Sequence, residues 1–180
     1  MFLNIITPCS RYELLREIEG SINIPRERYR WIVVYDSEKL PSNVYIPSNC
    51  EAYAIKNLFS VYGNAQRNYA LNMVKDGYIY FNDDDTIIHK DLWDNVNYLH
   101  NDFISFSQEW KDGTLRLKGN NISLNNVDSH NFIMSYSLLG NTRWDITRRD
   151  ADGLFANTCK DKAKNIIFIN KVLSTYNALG

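Results

Sequence analysis

The feature that most constrains the fold of this chain is an aromatic run that leads directly into three carboxylates. Residues 78–82 read YIYFN, which is typical of a buried strand, and Asp83, Asp84 and Asp85 follow at once. An unpaired buried charge costs more free energy than packing returns, so these acids need partners. Side chains at i and i+2 of an extended backbone point to one side, so Asp83 and Asp85 are placed to share a divalent cation. The alternative is a solvated turn that caps the next helix, a position where Asp is common.

Length, charge and cysteine content limit the class of protein. The chain has 180 residues, 44% of them apolar, which is enough for one compact domain over residues 1–180. Its net charge of −1 gives no reason to expect a nucleic-acid partner. The three cysteines form no CxxC pair and indicate a reducing compartment. We find no signal peptide and no transmembrane segment in the sequence, and we therefore expect a cytoplasmic location.

Strand and helix patterns alternate through residues 1–100. Strands are predicted at residues 2–6, 29–35, 51–55 and 78–82, and helices after Ser10, at 65–74 and at 90–99. Ser10 and Glu13 have the spacing of a capping box, Gly20 is the expected end of that helix, and the Thr7-Pro8-Cys9 segment is expected to break the first strand. Such alternation predicts an α/β fold with a mostly parallel central sheet flanked by helices.

The pattern changes after residue 100. Residues 104–110 and 114–117 predict a hairpin around the Asp-Gly turn at 111–113. A strand is predicted at 132–136, a helix at 150–159 and a short strand at 166–169. The sequence therefore predicts a nucleotide-binding half, residues 1–100, and a small mixed half, residues 101–180, that shapes a second ligand site.

Polar residues follow three of the predicted parallel strands. In open parallel sheets, ligands gather at the carboxyl ends of the strands, where Thr7-Pro8, Asp36 and the acidic triplet fall. The dinucleotide motif GxGxxG and the phosphate-loop motif GxxxxGK[ST] are both absent. A bound diphosphate would then need positive charge from a metal ion, with Arg11 and Arg67 as further candidates; either arginine could instead be a solvated helix charge.

Four segments together resemble nucleotide-sugar glycosyltransferases of the GT-A fold. They are Asn4–Pro8 (NIITP), Trp31–Asp36 (WIVVYD), the block GNAQRNYAL that begins at Gly63, and Tyr80–Asp85 (YFNDDD). The run is especially similar to the family 43 glucuronyltransferases and shares its general plan with family 2. The resemblance covers about residues 2–100 well and continues more weakly to about residue 160.

The resemblance implies a role for each matching residue. It assigns Thr7, Pro8 and Asp36 to a uridine pocket, and Arg67 to a position beside the nucleotide, where Arg11 is a further candidate. In the DxD motif it implies that Asp85 binds the metal, that Asp83 contacts the ribose or sugar and shares the metal, and that Asp84 supports both. Asp128 resembles an acid near the donor sugar and the acceptor.

The catalytic base is sought in Arg149–Leu154 (RDADGL), which is similar to an acidic segment of family 2. The resemblance favours Asp150 as the base, with Asp152 as runner-up; Asp150 could instead only cap the following helix. Two positions depart from the family patterns. Tyr62 stands where the glucuronyltransferases have arginine, and Arg149 stands where family 2 has an acid. The late phosphate-binding histidine of those families also has no match.

The resemblance implies a metal-dependent, inverting glycosyltransferase that uses Mn²⁺ or Mg²⁺. Its donor would be a nucleotide sugar, most simply a UDP-sugar, and its acceptor a glycan or another hydroxyl compound. Additional domains or a homo-oligomer are compatible with the small second half. One rival is a GT-A-like module that binds a nucleotide sugar or glycan without turnover. Another is an aspartate-nucleophile phosphatase, but Thr86 lies one residue too early for that signature.

Overall fold

One mixed β-sheet organises the molecule. The computed structural model describes residues 1–56 and 60–180, and within them eight strands form a sheet in the order β3-β2-β1-β4-β7-β5-β6, with β8 beside β5. The strands are β1 Leu3–Cys9, β2 Tyr29–Asp36, β3 Cys50–Ile55, β4 Tyr78–Phe81, β5 Phe103–Trp110, β6 Leu115–Leu117, β7 Phe132–Ser135 and β8 Ile166–Tyr176. The helices are α1 Leu15–Ser21, α2 Asn64–Leu71, α3 Leu92–Val96 and α4 Ala151–Lys160.

Strand directions bring one set of ends to a single edge of the sheet. Strands β1 to β4 are parallel, β7 runs antiparallel to β4, and β5 runs antiparallel to β7 and parallel to β8. The carboxyl ends of β1, β2, β4, β5 and β8 therefore share an edge with the amino end of β7. Apolar clusters cover both faces of the sheet, and α2 and α4 contribute to one of them. The predicted α/β class with a GT-A-like sheet is confirmed.

The first strand is longer than the sequence predicted. Thr7, Pro8 and Cys9 do not break β1, because they continue it in parallel register with β2, with Pro8 opposite Val34. Strand β4 pairs with β1 only as far as Ile6. A proline beyond that point costs no ladder hydrogen bond on the β4 side.

The predicted capping box at Ser10 is wrong. The Ser10 hydroxyl donates to Asp84 Oδ2 at 3.1 Å and makes no capping bond. The chain instead enters α1 through a 3₁₀ turn at Tyr12–Leu14, and Gly20 lies inside α1, which ends at Ser21. The hydrogen bond to Asp84, a tertiary contact, replaces the helix-capping bond that the local sequence pattern predicts for Ser10.

The last strand is also longer than predicted. Strand β8 pairs with the whole length of β5, with register shifts around Ser107. It therefore carries the chain to the edge where the acidic triplet lies, and the Leu179 amide donates to the Asp85 carbonyl at 2.9 Å. Among the described helices, none has the length and apolar character needed to cross a bilayer.

Candidate functional site

A polar cleft of about 680 Å³ opens at the shared edge of the sheet. Its walls come from the ends of β1 and β4, the amino end of α2, the loop before β7, β6, the start of α4 and the end of β8. The lining residues are Pro8, Ser10, Arg11, Lys39, Ser60, Tyr62, Gly63, Gln66, Arg67, Asp83, Asp84, Asp85, Arg116, Asp128, Arg149, Asp152, Tyr176 and Asn177. Of the residues expected at this edge, the acidic triplet, Pro8, Arg11 and Arg67 line the cleft.

Three side chains in this region form a compact group with metal-ligand chemistry. Asp83, Asp128 and His130 each offer one ligand atom, and these atoms all lie within 4.8 Å of one another. His130 Nε2 is 3.0 Å from Asp128 Oδ1 and 3.8 Å from Asp83 Oδ2. Asp83 follows β4, whereas Asp128 and His130 precede β7. Because β4 and β7 are antiparallel neighbours, these two segments meet.

Two arginines hold the outer oxygens of the two carboxylates. Arg67 Nη2 is 2.5 Å from Asp83 Oδ1, and Arg116 Nη1 is 2.8 Å from Asp128 Oδ2. The second oxygen of each acid faces His130, and Ser129 Oγ also lies 3.0 Å from Asp83 Oδ2 and 3.5 Å from Asp128 Oδ1. On its other side, His130 Nδ1 lies 3.0 Å from Ser174 Oγ, which fixes the ring orientation.

The charges within the group shift the pKa values of its buried members. Burial disfavours the imidazolium form of His130, but the Asp128 carboxylate outweighs it and raises the pKa of His130 to about 9. Burial alone would raise the pKa of Asp128, but the charge of His130 lowers it below its usual range. A cation at this position is thus favoured by the surrounding charges.

The group fits a divalent cation such as Mn²⁺. Two carboxylate oxygens and one imidazole nitrogen are ligands that this ion accepts, with substrate oxygens available for the remaining positions. Of the two metal ligands expected from the sequence, Asp83 belongs to the group. Asp85 does not: its Oδ2 lies 2.8 Å from Arg11 Nη2. Burial raises the pKa of Asp85, and the charge of Arg11 opposes that rise.

Asp84 is a structural anchor within the cleft wall. Its Oδ2 accepts hydrogen bonds from the backbone amides of Ser10 and Arg11 at 2.5 and 2.8 Å. Its Oδ1 accepts from Arg11 Nε at 2.9 Å. Asp84 therefore ties the start of the segment after β1 to the acidic triplet.

The two candidate bases lie in different surroundings. Asp150 is not among the residues that line the cleft, and it makes a double contact with Arg148, with Nε to Oδ1 at 2.8 Å and Nη2 to Oδ2 at 2.6 Å. Asp152, in the first turn of α4, lines the cleft and has no hydrogen bond or ion pair with any described residue. Burial raises the pKa of Asp152 to about 6, although the charge of Arg67 counteracts part of the rise.

The remaining residues that were predicted to contact the nucleotide fall into two groups: one residue lines the cleft, and the others do not. Thr7 is fully buried, and its hydroxyl accepts a hydrogen bond from Trp31 Nε1 at 3.0 Å, so it faces the core. Asp36 accepts from the Glu38 amide at 3.1 Å, which closes a turn behind Lys39. Neither is among the cleft-lining residues, whereas Pro8 is.

Gly63 allows the backbone before α2 to pass close to Pro8. Its φ of +76° favours glycine, and a Cβ there would lie 2.7 Å from the Cβ of Pro8. The preceding residue, Tyr62, also has a positive φ, of 49°. Tyr62 and Arg149, the two positions that depart from the family patterns, meet at the cleft, with the Arg149 guanidinium 5.7 Å from the Tyr62 ring centroid.

Two residues of the site were not predicted from the sequence. His130 was available as the second residue after Asp128, an i, i+2 pair just before a strand, but only the acid was singled out. Arg116 gave no local signal, because it reaches Asp128 from β6 across the loop that joins β6 to β7.

Solved structures share this fold. The chain is similar to S. aureus TarS residues 1–349 in complex with UDP-GlcNAc, with a TM-score of 0.76, 18% sequence identity, and coverage of 97% of this chain and 58% of that one. It is also similar to the mannosyltransferase PcManGT from Pyrobaculum calidifontis in complex with GDP-Man and Mn²⁺, with a TM-score of 0.66, 13% identity and coverage of 97% and 56%. At these identities the likeness shows the fold: a GT-A type of sheet, as the sequence predicted.

Comparison of the sequence alone does not identify a family for the chain. No protein-family model and no curated protein sequence matches the chain. The chain spans 60% of the TarS 1–349 structure and 36% of a longer TarS structure. These comparisons confirm neither family 43 nor family 2.

Proposed function

We propose that this protein is a metal-dependent glycosyltransferase that moves a sugar from a nucleoside-diphosphate sugar to a hydroxyl acceptor. One observation carries the proposal: a single cleft of a GT-A fold is lined by Asp83 and Asp128, which contact the buried His130, and by a carboxylate, Asp152, that forms no hydrogen bond or ion pair with a described residue. The neighbours in complex with UDP-GlcNAc and GDP-Man support the donor class.

In this proposal a divalent cation would be held by Asp83, Asp128 and His130. A divalent cation at this position would supply Lewis-acid stabilisation of the negative charge that develops on the leaving diphosphate. Arg67 and Arg116 keep the two carboxylates oriented with their inner oxygens toward the ligand. Asp85 is proposed to act with Arg11 at the border of the site, and its role as a metal ligand stays a prediction.

Asp152 is the better candidate for the general base. With a pKa of about 6 it is ionised at neutral pH and still basic enough to take a proton from an attacking hydroxyl. The proposed step is an inverting displacement: the acceptor oxygen bonds to the anomeric carbon, its proton passes to the Asp152 carboxylate, and the bond to the diphosphate breaks. Asp150, which is paired with Arg148, is the runner-up.

Binding is tested first, because it does not require the acceptor to be known. We expect UDP-GlcNAc, another UDP-sugar or GDP-mannose to raise the melting temperature in the presence of Mn²⁺, since a ligand that binds only the folded state stabilises it. The increase should be lost in Asp128→Asn and retained in Asp150→Asn. If none of the nucleotide sugars shifts melting with Mn²⁺, the proposed donor class is wrong.

Turnover is tested by donor hydrolysis, which needs only water as acceptor. We expect Asp152→Asn to bind donor normally and to hydrolyse it about 10²–10⁴-fold more slowly, the usual value of general-base assistance. Asp150→Asn is the matched control from the same segment and should hydrolyse at close to the normal rate. Donor binding without any hydrolysis or transfer in the unmodified protein would favour the rival function, a nucleotide-sugar binding module.

A further inference from the structure

The cationic side chains of the cleft are not equivalent. Arg11, Arg67 and Arg116 each make an ion pair with a cleft acid, at distances between 2.5 and 2.8 Å. Lys39 lies 3.9 Å from Asp36. Arg149 also lines the cleft, but it has no acidic partner among residues 1–56 and 60–180.

The neighbouring Arg148 differs from Arg149 in both its partner and its position. Arg148 is saturated by its double contact with Asp150 and does not line the cleft. Arg149, one residue later, is held instead against the ring of Tyr62, with 5.7 Å between the guanidinium carbon and the ring centroid. A cation over an aromatic face is oriented without neutralisation, so its charge stays available to a ligand.

Tyr62 combines high solvent exposure with an unusual backbone conformation. The residue is 63% exposed, so burial of the ring does not explain its place. Its left-handed backbone is rare for an aromatic residue and marks a conformation that the surroundings impose. Those surroundings are visible: the Tyr62 carbonyl accepts from Arg67 Nη1 at 2.5 Å, and the same guanidinium binds Asp83. Arg67 thereby ties the Tyr62 turn directly to the acidic group.

We propose that Arg149, oriented by Tyr62, is an anion-binding residue that takes a phosphate group of the donor diphosphate. The inference rests on the proposed function for the identity of the donor. A guanidinium presents several N–H donors in a plane that suits phosphate oxygens. Arg149 reaches the cleft from the segment just before α4, whereas the acids of the metal-ligand group reach it from the end of β4 and the segment before β7. The diphosphate would therefore be held from two sides.

The test compares ligands with and without phosphate in Arg149→Gln and Arg148→Gln. Isothermal titration with Mn²⁺ should give about tenfold weaker binding of UDP and inorganic pyrophosphate to Arg149→Gln, the usual loss for one charge-assisted hydrogen bond. Uridine, which lacks phosphate, should bind both variants and the unmodified protein equally. Arg148→Gln should bind all three ligands normally. Tyr62→Phe should keep UDP affinity, and Tyr62→Ala should lose part of it, because only the first retains the aromatic face.

The possible results separate this proposal from the proposed function. Equal UDP and pyrophosphate affinities in Arg149→Gln and Arg148→Gln would overturn the assignment of Arg149 while leaving nucleotide binding intact. An effect of Arg149→Gln on uridine as well would also overturn it, since the residue would then act on the nucleoside. Pyrophosphate binding that depends on Arg149, without any binding of nucleotide sugars, would support the phosphate site and contradict the donor class.

Discussion

The Asp152 carboxylate offers a test in which function and stability move in opposite directions. In the folded protein its pKa rises from an ordinary value of 3.8 to about 6, mainly through burial. An acid with a raised pKa is bound more tightly to its proton in the folded state, so the fold loses stability as pH rises between those two values. Each pH unit in that interval costs about 1.4 kcal/mol, which gives about 3 kcal/mol in full.

Asp152→Asn removes this cost because asparagine is never ionised. We expect the variant to be about 2–3 kcal/mol more stable than the unmodified protein at pH 8, or about 5–10 °C in melting temperature for a chain of this size. At about pH 3, below both the ordinary pKa of 3.8 and the raised one, the carboxyl group is mostly protonated in the folded and unfolded states, so the difference should nearly vanish. Urea unfolding at one-unit steps from about pH 3 to about pH 8 measures this dependence.

Asp150→Asn serves as a control, because the pH dependence of stability that arises from Asp150 has the opposite sign to that from Asp152. The contact with Arg148 lowers the pKa of Asp150, so its stabilising effect is present above its ordinary pKa and is lost as pH falls. This variant should be slightly less stable than the unmodified protein at pH 8. A stability difference for Asp152→Asn that is the same at every pH would refute the assignment of a raised pKa to the Asp152 carboxyl group.

Two further substitutions test the structural supports of the cleft. Asp84→Ala leaves two backbone amides and the Arg11 guanidinium without their acceptor, so it should lower the free energy of unfolding by about 2–3 kcal/mol. Asp84→Asn keeps one acceptor oxygen and should lower it less. Equal losses for the two variants in urea unfolding would contradict this account. Gly153→Ala places a Cβ 2.1 Å from the Leu124 carbonyl oxygen, so it should destabilise by about 1–3 kcal/mol, and an unchanged melting temperature would show that the α4 contact is looser than described.

The sequence predicted most of the element order because the signals concerned are local. Alternating apolar strands and helices through residue 100, the hairpin around Gly113, and the acids after β4 all follow from residues close together in the chain. The failures occur where a distant partner competes with a local pattern. Ser10 was assigned to a helix cap but donates to Asp84, 74 residues away. Strand β8 was predicted too short because its length is set by pairing with β5.

The sequence by itself determined that carboxylates would collect at the ends of parallel strands, since a run of acids after a buried strand needs cations or hydrogen-bond donors as partners. It could not determine how those acids divide their roles. Tertiary structure decided that Asp83 faces Asp128 and His130, that Asp84 and Asp85 are engaged by Arg11, and that Asp152 lies in the cleft. The physical reason is that a carboxylate's role depends on which charges and donors surround it, and here these come from segments far apart in the chain.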